Sequence, residues 1–198
     1  MNNKNNRNAH QRGFTLIESI VAMVVMGIAM TILFSIFFPR VEDSGRPQYI
    51  VRASALGQSV MNTILSRGFD DNSDPSGSRI RCDDEGNPDA VDVEIQECSS
   101  ALGPEEETAN AFNDVDDYIG CWYAADVQCT ESNSYPLSDL INNSNQYPHF
   151  KVMVDVMNIN NNGTESFTDS KHTMKKVTLT VSSQNYESVK FVGYKGNY

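Results

Sequence analysis

An uncharged segment of membrane-spanning length, close to the amino terminus, constrains this chain more than any other feature. No charged side chain occurs from Ser19 to Phe38. At about 1.5 Å of rise per residue, this segment would form a helix about 30 Å long, which matches the hydrocarbon core of a bilayer. Residues 1–13 carry Lys4, Arg7 and Arg12 and no acid. The positive-inside rule therefore predicts that they form a cytoplasmic leader and that the region after the helix is exported.

The apolar segment lacks the marks of a cleavable secretory signal. It continues to Phe38 and Pro39 without an Ala-x-Ala cleavage pattern. Cleavage before the segment is therefore favoured, and residues 14–38 would stay in the mature protein as a hydrophobic helix. One acid, Glu18, lies at its start, and a carboxylate in such a helix costs about 2.5–3.5 kcal/mol at the bilayer centre and less near an interface. Glu18 is therefore expected to have a partner.

A short motif at the start of this segment resembles the processing site of type IV prepilins and type II secretion pseudopilins: Gly13-Phe14-Thr15-Leu16-Ile17-Glu18. The resemblance implies that a prepilin peptidase cleaves between Gly13 and Phe14 and methylates the new terminus of Phe14. It also implies that Glu18 pairs with the terminal amine of a neighbouring subunit and sets axial register. The alternative is that Glu18 lies at headgroup depth in the first helical turn, where the helix dipole favours an acid.

Composition fits a small exported subunit and offers no constellation for catalysis. The 198 residues include 15 basic and 26 acidic side chains, a formal charge of −11 that loss of the leader makes more negative. Nucleic-acid binding is therefore not expected. The three histidines are scattered, and no Cys-x-x-Cys, His-Glu-x-x-His or P-loop pattern occurs. We therefore expect no enzyme, no small-molecule substrate and no cofactor, with calcium as the one weak candidate ion.

Four cysteines lie in the exported part of the chain: Cys82, Cys98, Cys121 and Cys129. An even number in an oxidising compartment predicts two disulfides, with three possible connectivities. We favour Cys82–Cys98 and Cys121–Cys129, because these pairs close short loops in segments without strong periodicity. A crosslink of about 2–4 kcal/mol would matter most there. Free or metal-binding thiols are the alternative, although the spacings match no zinc module.

The predicted fold is α+β and pilin-like, with a long amino-terminal helix packed on a carboxy-terminal antiparallel sheet. After the leader and the hydrophobic helix, the sequence divides into an amphipathic helix of the head over 39–67, a loop-rich disulfide-bonded region over 68–148 and the sheet over 149–198. Pro39 marks a kink or a boundary of the first helix. Apolar residues recur at helical spacing after Gln48, namely Ile50, Ala53, Leu56, Val60 and Ile64, with Met61 and Leu65 as further candidates.

The loop-rich region contains a cluster of acids that could bind calcium. Its segment Phe112–Gly120 is similar to one that recurs in minor pilins and pseudopilins, and the candidate ligands are Asp114, Asp116 and Asp117. Weaker candidates are Asp70, Asp71 and Asp74. The spacing lacks the glycine and distal glutamate of an EF-hand loop, so a solvated acidic turn is the alternative.

One tryptophan separates two interpretations of the same region. Trp122 and Tyr123 follow Cys121 directly, which favours packing in the core or against the disulfide. If Trp122 were exposed, it would instead indicate an aromatic platform for a sugar.

The last fifty residues show the alternation of a half-buried sheet. Apolar residues occupy every second position in three runs: Phe150, Val152, Val154 and Val156; then Val177, Leu179 and Val181; then Val189 and Phe191. Turns are expected at 160–163 and 183–185. An antiparallel meander of this kind can bury one face against the amphipathic helix and leave the other in water.

Two segments are most similar to minor pilins of the mannose-sensitive haemagglutinin (MSHA) pilus: residues 49–58 and the Asp-Val-Asp-Asp-Tyr segment at 114–118. The resemblance implies a membrane-anchored subunit of low abundance that initiates or caps a pilus and so supports surface attachment. Its partners would be other pilins, the prepilin peptidase and the inner-membrane assembly platform. The alternatives are a type II secretion pseudopilin and a tip adhesin that binds a surface ligand through residues 68–148.

Overall fold

The computed structural model describes residues 13, 15–43, 45–73, 81–84, 94–105, 108–160, 162–167, 173–184 and 186–197, with the backbone alone for 39–43. The leader before Gly13, the methylation position Phe14 and the candidate ligand Asp74 lie outside the described residues. The chain divides into two compact units, Met1–Pro47 and Gln48–Tyr198. The second unit is called the head below.

The first helix, α1, spans Leu16–Asp43. The sequence predicted a kink or boundary at Pro39, but the helix does not end there. Proline removes one intrahelical hydrogen bond, yet its fixed φ is helical, so the chain can continue through it. The second helix, α2, spans Gly45–Leu65 and has Pro47 in its first turn. A missing N–H costs no intrahelical bond at that position.

Helix α2 turns one side towards the core of the head. Its buried residues are Tyr49, Ala53, Leu56, Gly57, Val60, Met61 and Ile64. The prediction that Ile50 belongs to the core is wrong, because Ile50 is 45% exposed and its neighbour Tyr49 is buried instead. The Tyr49 ring stacks on Tyr186 at 4.5 Å, and its hydroxyl donates to the carbonyl of Glu187 at 2.9 Å. Tyrosine can bury its ring here because its polar end has this partner.

A six-stranded sheet forms the other layer of the head. Its strands are β1 Gly120–Tyr123, β2 Ser134–Pro136, β3 Phe150–Ile159, β4 Glu165–Ser166, β5 Met174–Ser183 and β6 Tyr186–Gly196. The order is β2-β1-β3-β5-β6, with the short β4 also paired to β3. All the pairs are antiparallel except β1 with β2. The predicted antiparallel sheet and its buried alternation are confirmed, because every second residue of β3 from Phe150 is buried.

Two strands of the sheet come from the region that the sequence marked as loop-rich. Strand β1 supplies Trp122, which pairs in register with Val152 of β3. Four short 3₁₀ helices complete this region in the described residues: Ala109–Ala111, Asp116–Tyr118, Leu137–Asp139 and Ser144–Gln146. The region therefore adds an aromatic side to the core rather than only loops.

The close contact between α2 and β6 depends on two glycines. A Cβ atom at Gly57 would lie 2.3 Å from Cε2 of Phe191, and one at Gly193 would lie 2.7 Å from Sδ of Met61. The absence of these side chains therefore lets helix and strand approach. At the end of α2, Lys195 donates to the Leu65 carbonyl at 3.3 Å, which satisfies one terminal acceptor of the helix.

The variant Gly57→Ala is expected to destabilise the head by about 1–3 kcal/mol, because the Phe191 ring would have to move. Alanine's higher helix propensity, about 1 kcal/mol, offsets only part of this cost. Thermal unfolding of the detergent-solubilised chain, followed by fluorescence of its single tryptophan, measures the effect. Gln58→Ala on the exposed side of α2 is the matched control. Equal melting temperatures for the two variants would contradict the packing described.

Candidate functional site

The amino-terminal end of α1 places the predicted motif in a defined local structure. Thr15 lies directly before the helix, and its Oγ1 accepts the backbone N–H of Glu18 at 3.4 Å. Glu18 is therefore in the first turn, in the Thr-x-x-Glu arrangement of a capping box. The Glu18 side chain is exposed. An acid at this end of a helix is favoured by the dipole, and its carboxylate is free to meet a group from another molecule.

The side-chain hydroxyls of α1 in its described membrane-length part are satisfied within the helix. The hydroxyls of Ser19, Thr31 and Ser35 donate to the carbonyls of Leu16, Gly27 and Ile32, each at 2.8 Å. Such internal bonding is what a hydrocarbon environment requires. Leu16–Phe38 is long and apolar enough to cross a membrane, and its large apolar side chains are all exposed in the isolated chain. A membrane or other helices must therefore cover them.

Two glycines of the amino-terminal segment are not required by close contacts with the described residues. A Cβ atom at Gly13 or at Gly27 would meet nothing within 4 Å. Glycine inside a helix costs about 1 kcal/mol relative to alanine, so Gly27 is unfavourable for the helix alone. A requirement for glycine at either position would therefore come from another molecule.

The structure contains two disulfides, Cys82–Cys98 and Cys121–Cys129, with Cα–Cα distances of 4.9 and 6.1 Å. These are the pairs that the sequence analysis favoured. The first disulfide lies against the end of the chain, because the amide of Asn197 donates to the Cys82 carbonyl at 3.2 Å. Asn197 also accepts a hydrogen bond from Ser73 at 3.0 Å. These hydrogen bonds therefore fix Asn197 against the segments that carry Ser73 and the Cys82–Cys98 disulfide.

Trp122 is fully buried and does not form a surface platform. Its indole N–H donates to the Tyr118 carbonyl at 2.9 Å, and its ring lies against those of Phe112, Tyr118 and Tyr135. The core interpretation of Trp122 is confirmed. The burial of this ring counts against a glycan site built on it.

A buried ionic cluster joins strand β5 to the loop-rich region. Lys175 occupies a core-facing position of β5, in series with Val177 and Leu179. Its Nζ contacts Oδ1 of Asp116 and lies 3.3 Å from Oδ2 of Asp70, and all three side chains are fully buried. The ammonium group also lies 4.9 Å from the centre of the Phe69 ring. Burial lowers the pKa of Lys175, but Asp116, Asp114 and Asp70 outweigh that effect, so its pKa is raised.

Backbone groups orient the acids around this lysine. Both oxygens of Asp70 accept the Ser99 N–H, at 3.1 and 3.0 Å. Oδ2 of Asp116 accepts the Gly103 N–H at 3.3 Å. Oδ1 of Asp114 accepts the N–H groups of Asp116 and Asp117 at 2.9 and 3.2 Å. The cluster therefore links the segment after α2, the 99–105 segment and the 3₁₀ helix Asp116–Tyr118.

One acid of the cluster, Asp114, holds its proton at neutral pH. Burial, together with the charges of Asp116 and Asp117, raises the pKa of Asp114 to about 9 although Lys175 lowers it. The cluster thus has fewer negative charges at neutral pH than its composition suggests.

The structure places two of the three calcium candidates, Asp114 and Asp116, and the weaker candidate Asp70 around the ammonium group of Lys175. The third, Asp117, accepts the N–H groups of Asn113 and Asp114 instead. Asp71, the remaining described candidate, is exposed. Among the described residues, two sets of three side chains place potential metal-ligand atoms within 4.8 Å of one another. Each set includes both cysteines of a disulfide. Lys175 is thus the cation beside Asp70, Asp114 and Asp116, and calcium at Asp114, Asp116 and Asp117 stays a prediction. Sequence reasoning missed Lys175, although the alternation of β5 continues back through position 175.

The variant Asp114→Asn is expected to reduce the pH dependence of head stability. Asp114 holds a proton in the folded state up to about pH 9 but loses it near pH 4 when unfolded, so its contribution to stability falls as pH rises through that range. Asparagine mimics the neutral form and keeps the Oδ1 acceptor. The variant should therefore melt at a higher temperature than the natural protein at pH 9, with a smaller difference at pH 5. Asp139→Asn, at an exposed position, is the control; a natural protein equally stable at both pH values would contradict a proton on Asp114.

Comparison with known proteins gives one match, at the amino terminus. Residues 8–34 match a family model described as the prokaryotic N-terminal methylation motif. The match includes Gly13, Phe14 and Glu18 and extends into α1. No curated protein and no solved structure matches the chain. The motif and the fold together are similar to those of type IV pilins and pseudopilins, which are structural proteins.

Proposed function

We propose that the chain is a minor pilin of an MSHA-like type IV pilus, in which it initiates assembly or caps the tip and so supports surface attachment. The observation that carries this proposal is the methylation motif over residues 8–34 on a helix of membrane-spanning length. The MSHA assignment rests on the similarity of residues 49–58 and 114–118 to the minor pilin MshD. The loop-rich, strongly acidic region between α2 and the sheet supports a terminal position, since a densely repeated subunit must satisfy contacts on every side.

Processing follows from the motif. A prepilin peptidase cleaves after Gly13 and methylates Phe14, and the subunit remains in the inner membrane through residues 14–38 with its head in the periplasm. The space around Gly13 supports this assignment, because the fold itself does not require glycine there. Before assembly the protein is thus an inner-membrane protein, and after assembly it is part of a surface fibre.

Assembly is driven by the same helix. The assembly platform extracts the subunit, and the exposed apolar side chains of α1 pack against those of other pilins. Glu18 in the first turn then pairs with the terminal amine of a neighbouring subunit, which neutralises both charges away from water. The capping geometry at Thr15 leaves this carboxylate exposed for such a contact.

Immunogold microscopy of sheared fibres and membranes, from cells with a tagged protein and from a deletion strain, tests the role. A minor pilin gives sparse label at fibre ends and fewer fibres in the deletion. Dense label along the fibres would indicate a major subunit instead. Label confined to the envelope, with normal piliation and a retained exoprotein, would replace the proposal with a type II secretion pseudopilin.

A further inference from the structure

We propose that Lys175 and Asp116 form an intramolecular isopeptide bond that covalently links strand β5 to the loop-rich region. The two side chains are in direct contact and fully buried. Lys175 belongs to a strand paired on both sides, with β3 and β6, and Asp116 opens the 3₁₀ helix just before β1. The proposal concerns the head alone and does not depend on the role of the protein in a pilus.

The reaction proceeds through the uncharged forms of both groups, which the ion pair reaches by a single proton transfer. A buried ion pair has lost its hydration, and this cost can exceed the attraction between its charges. A proton can move from the ammonium of Lys175 to the carboxylate of Asp116 without any change in net charge. The pair then consists of an amine and a carboxylic acid, and a desolvated lysine amine is a nucleophile. The Phe69 ring and the core-facing position of Lys175 keep water away.

The reaction is a condensation that needs no oxidant and no further reactant. The amine nitrogen attacks Cγ of Asp116, an N–C bond forms, and the C–OH bond breaks. The hydroxyl leaves as water together with one proton from the nitrogen. Fixed contact between the two groups replaces a bimolecular encounter, and well-oriented intramolecular reactions gain effective concentrations of about 10⁵–10⁸ M.

Two neighbouring acids can take part in the proton transfers of this reaction. Oδ2 of Asp70 lies 3.3 Å from the Lys175 nitrogen, and hydrogen bonds from Asn72 and Ser99 fix its carboxylate. Asp70 can therefore accept the proton that the nitrogen loses. Asp114 is fully buried, and its Oδ2 has no hydrogen-bond partner among the described residues. Its protonated form can supply a proton to the departing hydroxyl. The proton that Asp70 takes from the nitrogen balances this transfer, so the step as a whole releases one water.

Intact mass measurement of the full chain after complete disulfide reduction tests the bond. With the amino terminus established by sequencing, the natural protein should have the mass of its sequence minus one water. The variants Lys175→Met and Asp116→Ala should have the full mass of their sequences. Lys176→Met, changed at the next residue of β5, should retain the deficit. The natural protein at its full calculated mass would overturn the proposal, and this measurement does not depend on whether any variant folds.

Peptide mapping identifies the linked residues. Digestion should yield a branched peptide in which the side chain of Lys175 is joined to Asp116, and trypsin should not cleave after Lys175. Cyclisation of an aspartate elsewhere would also remove one water, but it gives no branched peptide. A deficit of one water with ordinary cleavage after Lys175 would therefore count against the bond.

Discussion

Replacement of Lys175 by methionine is expected to destabilise the head by about 3–5 kcal/mol. The variant keeps most of the apolar stem but leaves the carboxylates of Asp70 and Asp116 buried without the Lys175 nitrogen, whether that nitrogen is an ammonium or is bonded to Asp116. Removing one partner of a buried ion pair has this cost, because the remaining charges are far from water. Chemical unfolding followed by the fluorescence of Trp122, which lies in the core, gives the free energy directly.

The adjacent lysine provides a matched control on the opposite face of β5. Lys176 pairs with Glu165 at 2.6 Å, and both side chains are partly exposed, at 23% and 43%. Surface pairs contribute little to stability, because water screens the two charges. Lys176→Met should therefore change the free energy of unfolding far less than Lys175→Met. Similar losses for the two variants would show that the buried cluster does not stabilise the head as described.

The second large effect concerns the amino-terminal motif, where Gly13→Leu and Glu18→Ala are expected to fail at different steps. Leucine at position 13 should prevent cleavage, so the protein accumulates at its full length. Alanine at position 18 should leave cleavage intact but reduce incorporation into fibres roughly tenfold, as the loss of an interaction of about 1.4 kcal/mol would do. Immunoblots of membranes and sheared fibres report both steps.

Thr15→Ala separates the two roles open to Glu18. The threonine side chain caps α1, and a capping loss costs about 1 kcal/mol of helix stability. If Glu18 served only the first helical turn, Thr15→Ala and Glu18→Ala would impair assembly alike. We expect Thr15→Ala to assemble much better, because it retains the carboxylate that meets the neighbouring amine. Normal incorporation of Glu18→Ala would exclude a role in register.

Simple local patterns allowed the sheet and the hydrophobic helix to be predicted from the sequence. The alternation from Phe150 to Val156 predicted both the strand and its buried face, and the uncharged residues up to Phe38 predicted the long helix. These features depend on the periodicity of apolar residues within one segment, which can be seen without knowing the rest of the fold.

Contacts between segments distant in the sequence could not be predicted from such patterns. The acids that neutralise Lys175 lie 59 and 105 residues away in the sequence, so its burial has no local signal. Tyr49 and Ile50 both fit a helical repeat, and the stacking partner Tyr186 from β6 decides between them. Strands β1 and β2 have four and three residues and pair in parallel, too short for an alternating pattern to appear.

The amino-terminal residue of the protein in sheared surface fibres tests the central claim most directly. Tandem mass spectrometry of that terminal peptide should find a chain that begins with N-methylated Phe14 and retains the complete hydrophobic helix. This result requires export, cleavage after Gly13 and incorporation in one molecule. A fibre-associated chain that begins at Met1, or one that begins after Phe38, would contradict the assignment as a processed pilin.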